Sequence, residues 1–364
     1  MKKVIIIFFT WVLVINIFAL LSNNRVNLKP DTAYSWIVPE YTFQVQTWDV
    51  LSLHNRWDSF WFLDIVKNGY SYKEGQLSNI PFFPLYPSTV GLTSFLLHLN
   101  PLFVGWVITL TTSLLACIFL YKLVKTYHKD ADPIQSVILL LIFPTAIFLN
   151  SIFSESMFLL FSILVFYYTL KKNFLLASIF GFFAALTRFT GILLFVPVVI
   201  EYILTYKKNA LNIKSLQLLL IPLGTFLFFL FHKIAFGDFF LYLKVQALWG
   251  RDFFNNISNF YFGTNPAIVN FIFDVSFLIF GVIASIYVIK KVRLSYGIYM
   301  LLSILVATGS GSLMSIGRYV LTLFPVFILG GMIKDKYKQQ LWIILSVLLA
   351  GLYTLLFISH YWAG

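Results

Sequence analysis

Charged side chains are scarce in this sequence: they make up 11% of its 364 residues, whereas hydrophobic residues make up 60%. Because so few polar groups cannot cover a water-facing globule of this size, the apolar surface must face lipid. Apolar stretches of about 17 to 22 residues recur between lysines and turn residues, as expected for helices that cross a hydrocarbon core of roughly 30 Å. A β-barrel would need alternating strands instead. The composition therefore predicts an all-α polytopic membrane protein that forms a single domain over residues 1–364.

Cysteine, metal-ligand and nucleotide motifs are also lacking. The single cysteine, Cys117, lies in an apolar run, so the chain forms no internal disulfide and has no thiolate metal cluster. The five histidines show no ligand spacing such as HExxH, and we predict no bound metal and no cofactor. There is no Walker A loop, no Gly-rich dinucleotide fingerprint and no soluble domain for a nucleotide-sugar. Although the formal net charge is +12, no basic cluster stands on a soluble domain, so no nucleic-acid partner is expected.

The apolar runs between helix breakers predict about 11 transmembrane helices, with residues 102–358 forming the main bundle. The first run lacks a small-x-small cleavage pattern at its end, so we interpret it as a membrane helix rather than a signal peptide. The run at 83–99 ends at Asn100-Pro101, and we interpret it as re-entrant or interfacial. The predicted helices cover residues 4–21, 102–121, 134–150, 157–170, 174–187, 190–206, 216–233, 267–289, 295–309, 318–333 and 341–358.

The distribution of basic residues predicts the orientation of these helices. If the amino terminus is cytoplasmic, the loops on that side hold 16 of the 26 basic residues and only four acidic residues, Asp130, Asp132, Glu201 and Asp335. These loops then carry the whole charge of +12, and the outside is neutral, with 10 basic and 10 acidic residues. This asymmetry is the positive-inside signal of a membrane protein.

Arginine is distributed differently from lysine. Five of the six arginines fall outside in this topology, whereas most lysines fall inside. The planar guanidinium group makes bidentate contacts with phosphate or carboxylate, so arginines near the outer membrane face suggest an anionic headgroup as ligand. The five outside residues are Arg25, Arg56, Arg188, Arg251 and Arg318.

The first extracytoplasmic loop, residues 22–88, contains the candidate catalytic segment. Asn55 is a suitable N-cap and Gly69 a suitable C-terminal stop for a short helix that carries Asp58 and Asp64. Since this segment is too short to span, it should lie along the interface and hold a carboxylate at headgroup depth. The two acids point in different directions around a helix, so they do not form an evident acid/base pair. For Asp58, stabilisation of the helix dipole and catalysis are equally compatible with the pattern; for Asp64, a solvated surface position is favoured.

Charged residues at other helix ends are further candidates. Glu155, Arg188 and Arg318 lie at the outer face in the predicted topology, where a charge beside the hydrocarbon is costly unless it is paired or hydrated. The alternative is a structural ion pair between Glu155 and one arginine, but this would leave the other arginine unexplained, so we favour a functional role. The outside segment 236–251 adds aromatic rings, amides and an acid, which suit a sugar, although Trp and Tyr also anchor proteins at membrane interfaces.

Taken in chain order, short motifs in this sequence resemble those of the second mannosyltransferase of GPI-anchor synthesis and its prokaryotic relatives. Their order and their common placement at the outer face carry the resemblance, which extends over residues 54–326. One departure is Arg188-Phe189-Thr190-Gly191, where relatives often carry Arg followed by Ser or Asn and Gly. The motifs are Arg56-Trp57-Asp58, Gly69-Tyr70, Glu74, Phe82-Phe83-Pro84-Leu85-Tyr86-Pro87, Ser154-Glu155-Ser156, Thr187-Arg188, Gly237-Asp238, Gln246, Trp249 and Arg318-Tyr319.

The resemblance implies a GT-C-type glycosyltransferase that transfers a sugar, mannose in this family, from a polyprenyl- or dolichyl-phosphate donor with inversion. It makes Asp58 the leading candidate for the catalytic base. The compact, Lys-, Ile-, Phe- and Asn-rich chain suggests a prokaryotic source, and hence a glycan, glycolipid or protein acceptor outside the cell membrane. The substrate-binding candidates are Arg56, Trp57, Glu74, Tyr86, Glu155, Arg188, Asp238, Gln246, Trp249, Arg251, Arg318 and Tyr319.

Two other classes of protein remain alternatives: a lipid or sugar transporter or flippase, and a non-catalytic partner of another transferase. A transporter also needs many helices and buried charges, but we find no convincing internal repeat in the sequence. An interfacial outer helix also fits an enzyme better than a pore. The enzyme hypothesis requires that Asp58, Arg188 and Arg318 meet in one cavity.

Overall fold

The computed structural model describes residues 1–26, 37–38, 49–251, 265–309 and 311–363. Part of the first loop therefore lies outside the described residues. The described chain forms helices and turns without β-strands, which confirms the all-α prediction for this part of the protein. The α-helices are α1 (Lys2–Arg25), α2 (Val50–Leu53), α3 (Asp58–Asn68), α4 (Leu85–Leu97), α5 (Pro101–Tyr127), α6 (Pro133–Leu141), α7 (Glu155–Leu170), α8 (Phe174–Thr187), α9 (Phe195–Tyr206), α10 (Leu220–Phe236), α11 (Leu241–Gln246), α12 (Asn265–Lys291), α13 (Leu294–Gly309), α14 (Ile316–Thr322), α15 (Pro325–Gly331) and α16 (Lys336–Ile358).

Long apolar helices dominate the described residues. Four shorter apolar helices, α4, α7, α8 and α13, accompany the long ones. The protein is an integral membrane protein, while the total of about 11 transmembrane helices stays a prediction. The six helical stretches that are long and apolar enough to cross a membrane are Lys2–Arg25, Pro101–Tyr127, Phe189–Asn209, Ile213–Phe236, Ile268–Lys291 and Lys336–Ile358.

The helix α7 lies in the middle of the bundle. It packs between α5 and α8, and α8 packs in turn on α10. A helix that is apolar on all sides is driven into the interior of the bundle, and most side chains of α7 are buried. This places Glu155, the first residue of α7, inside the protein.

Two predicted helices are interrupted near prolines. The stretch 134–150 forms α6 only as far as Leu141, ahead of Pro144, and then a 3₁₀ turn. The stretch 318–333 divides into α14 and α15 ahead of Pro325. The prediction of continuous helices was wrong here because proline lacks an N–H group and disfavours helical geometry in the residue before it.

The helix α4 accounts for the apolar run at 83–99. It has 13 residues, which gives a length of about 20 Å at 1.5 Å per residue. It is therefore too short to cross a hydrocarbon core of roughly 30 Å. It packs on α3 and α5. That this run is re-entrant or interfacial stays a prediction.

The helix α3 begins later than the sequence predicts. Its N-cap residue is Trp57, whose φ of 53° and ψ of −120° are rarely adopted by residues other than glycine. Asn55 is not the cap, because the chain turns sharply at Trp57. The Oδ1 atom of Asn55 instead accepts a hydrogen bond from the hydroxyl of Ser59 (3.0 Å). Gly69 ends the helix with a φ of 76°, as predicted. Asp58 is consequently the first residue of α3, where the helix dipole favours a carboxylate.

Candidate functional site

A cavity of about 120 Å³ collects side chains from distant parts of the described chain. Asp58 enters it from the start of α3, Arg188 from the end of α8, and Arg318 from α14. The three charged groups whose convergence the enzyme hypothesis requires therefore do meet in one cavity. The other predicted substrate-binding residues in its wall are Gln246, Trp249, Arg251 and Tyr319.

Glu155 lies behind this cavity and joins two of its arginines. Its Oε1 atom is 2.6 Å from Nη1 of Arg188 and 2.6 Å from Nη2 of Arg318. The same oxygen accepts a hydrogen bond from Nε of Arg318 at 2.7 Å. The carboxylate is fully buried, and within the described chain its Oε2 atom has no hydrogen-bond partner. Glu155 therefore fixes the relative position of two guanidinium groups that are far apart in sequence.

Arg318 bridges the two carboxylates of the site. Besides contacting Glu155, it places Nη1 2.7 Å from Oδ2 of Asp58. Its guanidinium carbon also lies 4.8 Å from the ring centre of Phe148 and 4.9 Å from that of Phe153. Cation–π contacts and two carboxylate partners compensate for removing this cation from water. The arrangement restrains Arg318 and aligns Asp58 at the cavity wall.

Arg251 and Arg188 lie against Tyr319. Nη1 of Arg251 donates a hydrogen bond to the hydroxyl of Tyr319 (2.8 Å), and Nη2 donates to the carbonyl of Met314 (3.2 Å). The guanidinium carbons of Arg188 and Arg251 are 5.2 Å and 5.6 Å from the centre of the Tyr319 ring. Tyr319 therefore separates two cations that would otherwise repel each other across the cavity.

The charges of this cluster do not cancel. Three guanidinium groups face two carboxylates, so the formal charge of the cluster is +1. Buried walls of low dielectric strengthen the attraction of such a site for an anion. Hydrogen-bond donors of arginine suit phosphate in particular.

Aromatic rings form another wall of the cavity. The ring of Trp249 lies 5.5 Å from Phe82 and 5.3 Å from Trp61. Within the described chain, the indole Nε1 of Trp249 has no hydrogen-bond partner. Tyr242, which also lines the cavity, stacks on Phe189 with ring centres 5.4 Å apart. Aromatic faces of this kind are suited to packing against a sugar ring.

Some of the predicted substrate-binding residues lie outside this cavity. Glu74 is exposed. Asp238 forms an ion pair with Lys244 at the surface. Tyr86 is buried elsewhere and donates a hydrogen bond to the carbonyl of Gly105 (3.0 Å).

Arg56 and Trp57 support the cavity from behind. Arg56 is buried and donates from Nη1 to the carbonyl of Ser52 at 2.6 Å. The ring of Trp57 packs edge-on against Trp362, which itself lines the cavity, with ring centres 5.4 Å apart. Both residues are therefore placed to hold the turn that precedes Asp58 rather than to contact a ligand in this cavity.

Asp64 is turned away from Asp58, as the helical spacing predicts. Its two oxygens accept hydrogen bonds from Nδ2 of Asn68 and of Asn79, each at 2.7 Å. It does not line the cavity. Only one of the two acids of α3 therefore belongs to the site.

Sequence reasoning missed several residues of the cavity wall. Tyr242 could have been found, since it stands four residues before Gln246 on α11 and so shares its helix face. Trp362 follows the last helix and Ile37 lies in the first loop, and neither belongs to a charged or repeated pattern. For these two residues the sequence offers no signal.

Metal-ligating side chains do not cluster in the described part of the chain. No three His, Cys, Asp or Glu residues come together there in positions that could hold a metal ion. The expectation of a site without metal or cofactor stays a prediction.

The fold and the site together define an integral membrane protein with a cationic cavity that contains a carboxylate. Residues 2–195 match the model of the family described as Mannosyltransferase (PIG-V). Because this match covers more than half of the chain, the protein belongs to the PIG-V mannosyltransferase family, as the sequence motifs indicated. Membership of this family does not favour the transporter alternative. No curated protein gives a significant match.

Solved structures of an archaeal enzyme are similar to the chain at a low level. A crystal structure of the Archaeoglobus fulgidus oligosaccharyltransferase with Zn and sulfate aligns at 14% identity with a TM-score of 0.45, covering 97% of this chain and 53% of that chain. The same archaeal oligosaccharyltransferase, AglB, in complex with an inhibitory peptide and a dolichol-phosphate aligns at 11% identity with a TM-score of 0.41, covering 97% and 56%. The chain thus spans about half the length of these structures. Similarity at this level carries no argument about the site.

Proposed function

We propose that the protein is a GT-C-type glycosyltransferase that transfers mannose from a polyprenyl- or dolichyl-phosphate donor to the hydroxyl of an extracytoplasmic acceptor. The observation that carries this proposal is the meeting of Asp58 with Arg188, Arg251 and Arg318 in one cavity. The cluster pairs a proton acceptor with a binding site for the phosphate that must leave. The family match supports the sugar.

Asp58 is the proposed catalytic base. One of its oxygens, Oδ2, contacts Arg318, which orients the carboxylate toward the cavity. Asp58 takes the proton of the acceptor hydroxyl as the hydroxyl oxygen forms a bond to the anomeric carbon. The bond between that carbon and the phosphate oxygen breaks on the opposite face, so the configuration inverts.

The arginines are proposed to stabilise the leaving phosphate. The electron pair of the broken bond stays on the lipid phosphate, whose negative charge therefore grows in the transition state. Arg188 and Arg251 flank Tyr319 at the cavity wall and donate toward this charge. They supply this stabilisation as fixed cations, since Glu155 and Tyr319 hold them in place.

The aromatic wall is proposed to hold the sugar. Trp249 contributes an aromatic ring to the cavity wall, and Gln246 contributes an amide to the same wall. The segment Pro84–Pro87, which forms the N-cap and the first turn of α4, is proposed to seat the prenyl chain where it leaves the cavity. The acceptor is proposed to be a glycan, glycolipid or protein.

The site is proposed to lie on the extracytoplasmic face of the membrane. Trp362, in the cavity wall, follows the carboxyl end of α16, whereas Lys336 and Lys338 stand at its amino end. The helix α16 has 23 residues, so these ends are about 34 Å apart. Lysine-rich ends are expected in the cytoplasm, which supports the outer placement of the site.

The test compares Asp58→Asn with Asp64→Asn, a matched change on the same helix outside the cavity. Purified protein in lipid vesicles is given polyprenyl-phosphate mannose and an alkyl mannoside as a stand-in hydroxyl acceptor, and the release of polyprenyl phosphate is measured together with mannosylation of the acceptor. We expect Asp58→Asn to lower kcat by about 100-fold or more and Asp64→Asn to retain turnover. A transporter or a non-catalytic partner would release no polyprenyl phosphate even as the unmodified chain. Near-normal turnover of folded Asp58→Asn would remove Asp58 from the role of base.

A further inference from the structure

A second cavity, about 420 Å³ in volume, lies between α12 and α16. Its lining is almost entirely apolar, and a single lysine is its only charged residue within the described chain. We call it the α12–α16 cleft. Its main lining residues are Phe143, Phe277, Phe280, Lys338, Trp342 and Leu345.

The cleft runs along the two helices. Phe280 contacts Trp342 with ring centres 5.9 Å apart, and Phe277 contacts Tyr353 at 5.8 Å. Residue numbers therefore fall on α16 as they rise on α12, so the helices are antiparallel. Lys338 and Tyr353 line opposite ends of the cleft, and their separation along a helix is about 22 Å. This is the length of an extended fatty acyl chain.

The charge of the cleft is concentrated at one end. Lys338 belongs to the first turn of α16, and Lys334 and Lys336 adjoin it in sequence. The antiparallel packing brings the basic end of α12, Lys290-Lys291, to the same side. The acid there, Asp335, is engaged as the N-cap of α16 and accepts from the backbone N–H of Tyr337 (2.9 Å). An apolar cleft with a cationic end complements an amphiphile whose headgroup is negative.

The cleft does not continue into the mannosyltransferase cavity. Between them lies a pocket of only about 10 Å³, whose walls include the polar side chains of Asn270 and Asp274. A prenyl chain cannot pass through a space of this size. The basic end of the cleft also lies at the end of α16 opposite to Trp362, which lines the first cavity.

We infer that the α12–α16 cleft binds an anionic glycerophospholipid from the leaflet opposite to the mannosyltransferase site. One acyl chain lies between α12 and α16, and the phosphate is paired with the ammonium group of Lys338. This site is independent of the proposed function, because the two cavities share no lining residue. An acyl chain in the cleft would add contact between two helices that meet at the ring pairs Phe277–Tyr353 and Phe280–Trp342.

The test measures lipid retention by native mass spectrometry of the full-length protein, titrated with phosphatidylglycerol or phosphatidylcholine. We expect a preference for phosphatidylglycerol that falls about fivefold in Lys338→Gln and remains in Lys336→Gln, whose side chain does not line the cleft. Leu345→Trp should fill the cleft and abolish the retention of phosphatidylglycerol. Leu348→Trp, on the same helix at a position that does not line the cleft, should leave it unchanged.

Two outcomes would overturn the inference. Equal losses in Lys338→Gln and Lys336→Gln would mean that the lipid recognises surface charge and not the cleft. Displacement of the bound phosphatidylglycerol by polyprenyl phosphate would mean that the cleft is a binding site for the prenyl chain of the donor. Because retention is measured without turnover, failure of this inference leaves the test of Asp58 unaffected.

Discussion

The ion pair between Glu155 and Arg188 offers a quantitative test of how the site is held together. In Glu155→Gln the buried anion is lost, while Arg318 keeps its second partner, Asp58. Arg188 keeps no carboxylate within the described chain, and its side chain is only 14% exposed. The variant therefore leaves one cation in the interior without an anion.

The magnitudes follow from the geometry of these contacts. Two unit charges about 4 Å apart interact by about 4 kcal/mol at an effective dielectric constant of about 20. Breaking a buried pair typically costs about 3 to 5 kcal/mol, which we expect for Glu155→Gln. Arg188→Gln should cost about 2 kcal/mol, because Glu155 retains Arg318 and only one charged hydrogen bond is lost. The loss of stability in the double variant should be about 2 kcal/mol smaller than the sum of the two single losses.

The assay is reversible unfolding of the purified protein in mixed micelles, followed by circular dichroism. A matched cycle on Asp238 and Lys244, whose ion pair is exposed, should show no measurable coupling. Additive effects of Glu155→Gln and Arg188→Gln would refute the claim that Glu155 positions Arg188. In that case the contact seen between them would contribute nothing specific to the site.

Further predictions concern the backbone, the titration of a buried histidine and the third arginine. Gly191→Ala would place a methyl carbon 2.3 Å from the carbonyl oxygen of Ala184, so we expect a loss of about 2 kcal/mol in stability. Burial, with a contribution from a neighbouring arginine, lowers the pKa of His54 to about 3. As the pH falls below about 6.5, His54 is protonated in the unfolded chain but not in the folded protein. The free energy of unfolding should therefore drop by about 2 kcal/mol between pH 7 and pH 5. Arg251→Lys should raise the KM for the lipid-phosphate sugar about tenfold, since lysine cannot reproduce both hydrogen bonds of the guanidinium group.

Each of these predictions has its own control. Gly309→Ala meets no atom within 4 Å and should unfold like the unmodified chain in the same micelles. In His54→Asn the drop in stability between pH 7 and pH 5 should disappear, and its persistence would assign the drop to other groups. For Arg251→Lys, an unchanged KM with reduced kcat would mean that Arg251 acts only in the transition state.

Much of the helical framework could be predicted from the sequence because apolar runs and their breakers are local features. The ends of α8, for example, coincide with the predicted range 174–187. Interruptions inside an apolar run were harder to predict. Pro144 and Pro325 each allow either a kinked continuous helix or two separate helices, and the surrounding bundle decides between them. The predicted cap of α3 was wrong for a related reason, since the turn at Trp57 packs against Trp362, which is distant in the sequence.

For the site, the types of residue could be predicted better than their positions in space. Arginine near the outer membrane face favours anion binding, and three of the predicted arginines reach the cavity, whereas Arg56 lies behind it. Tyr86 and Asp238 belong to motifs of the same kind but lie outside the cavity, because a short motif does not specify where its side chains point in the folded chain. Ile37 and Trp362 needed the folded chain, since only tertiary packing brings them to the cavity.

The guanidinium groups around the cavity come from two different parts of the chain. The family match ends at residue 195, so the amino-terminal part contains Asp58, Glu155 and Arg188. By itself that part would present a cavity with an excess negative charge, which repels a phosphate ester. Arg251 and Arg318, which belong to the other part of the chain, make the net charge of the cavity positive. A fragment that folds and carries every residue of the matched region should therefore reject the lipid donor, and adding the missing half as a separate polypeptide should restore its uptake.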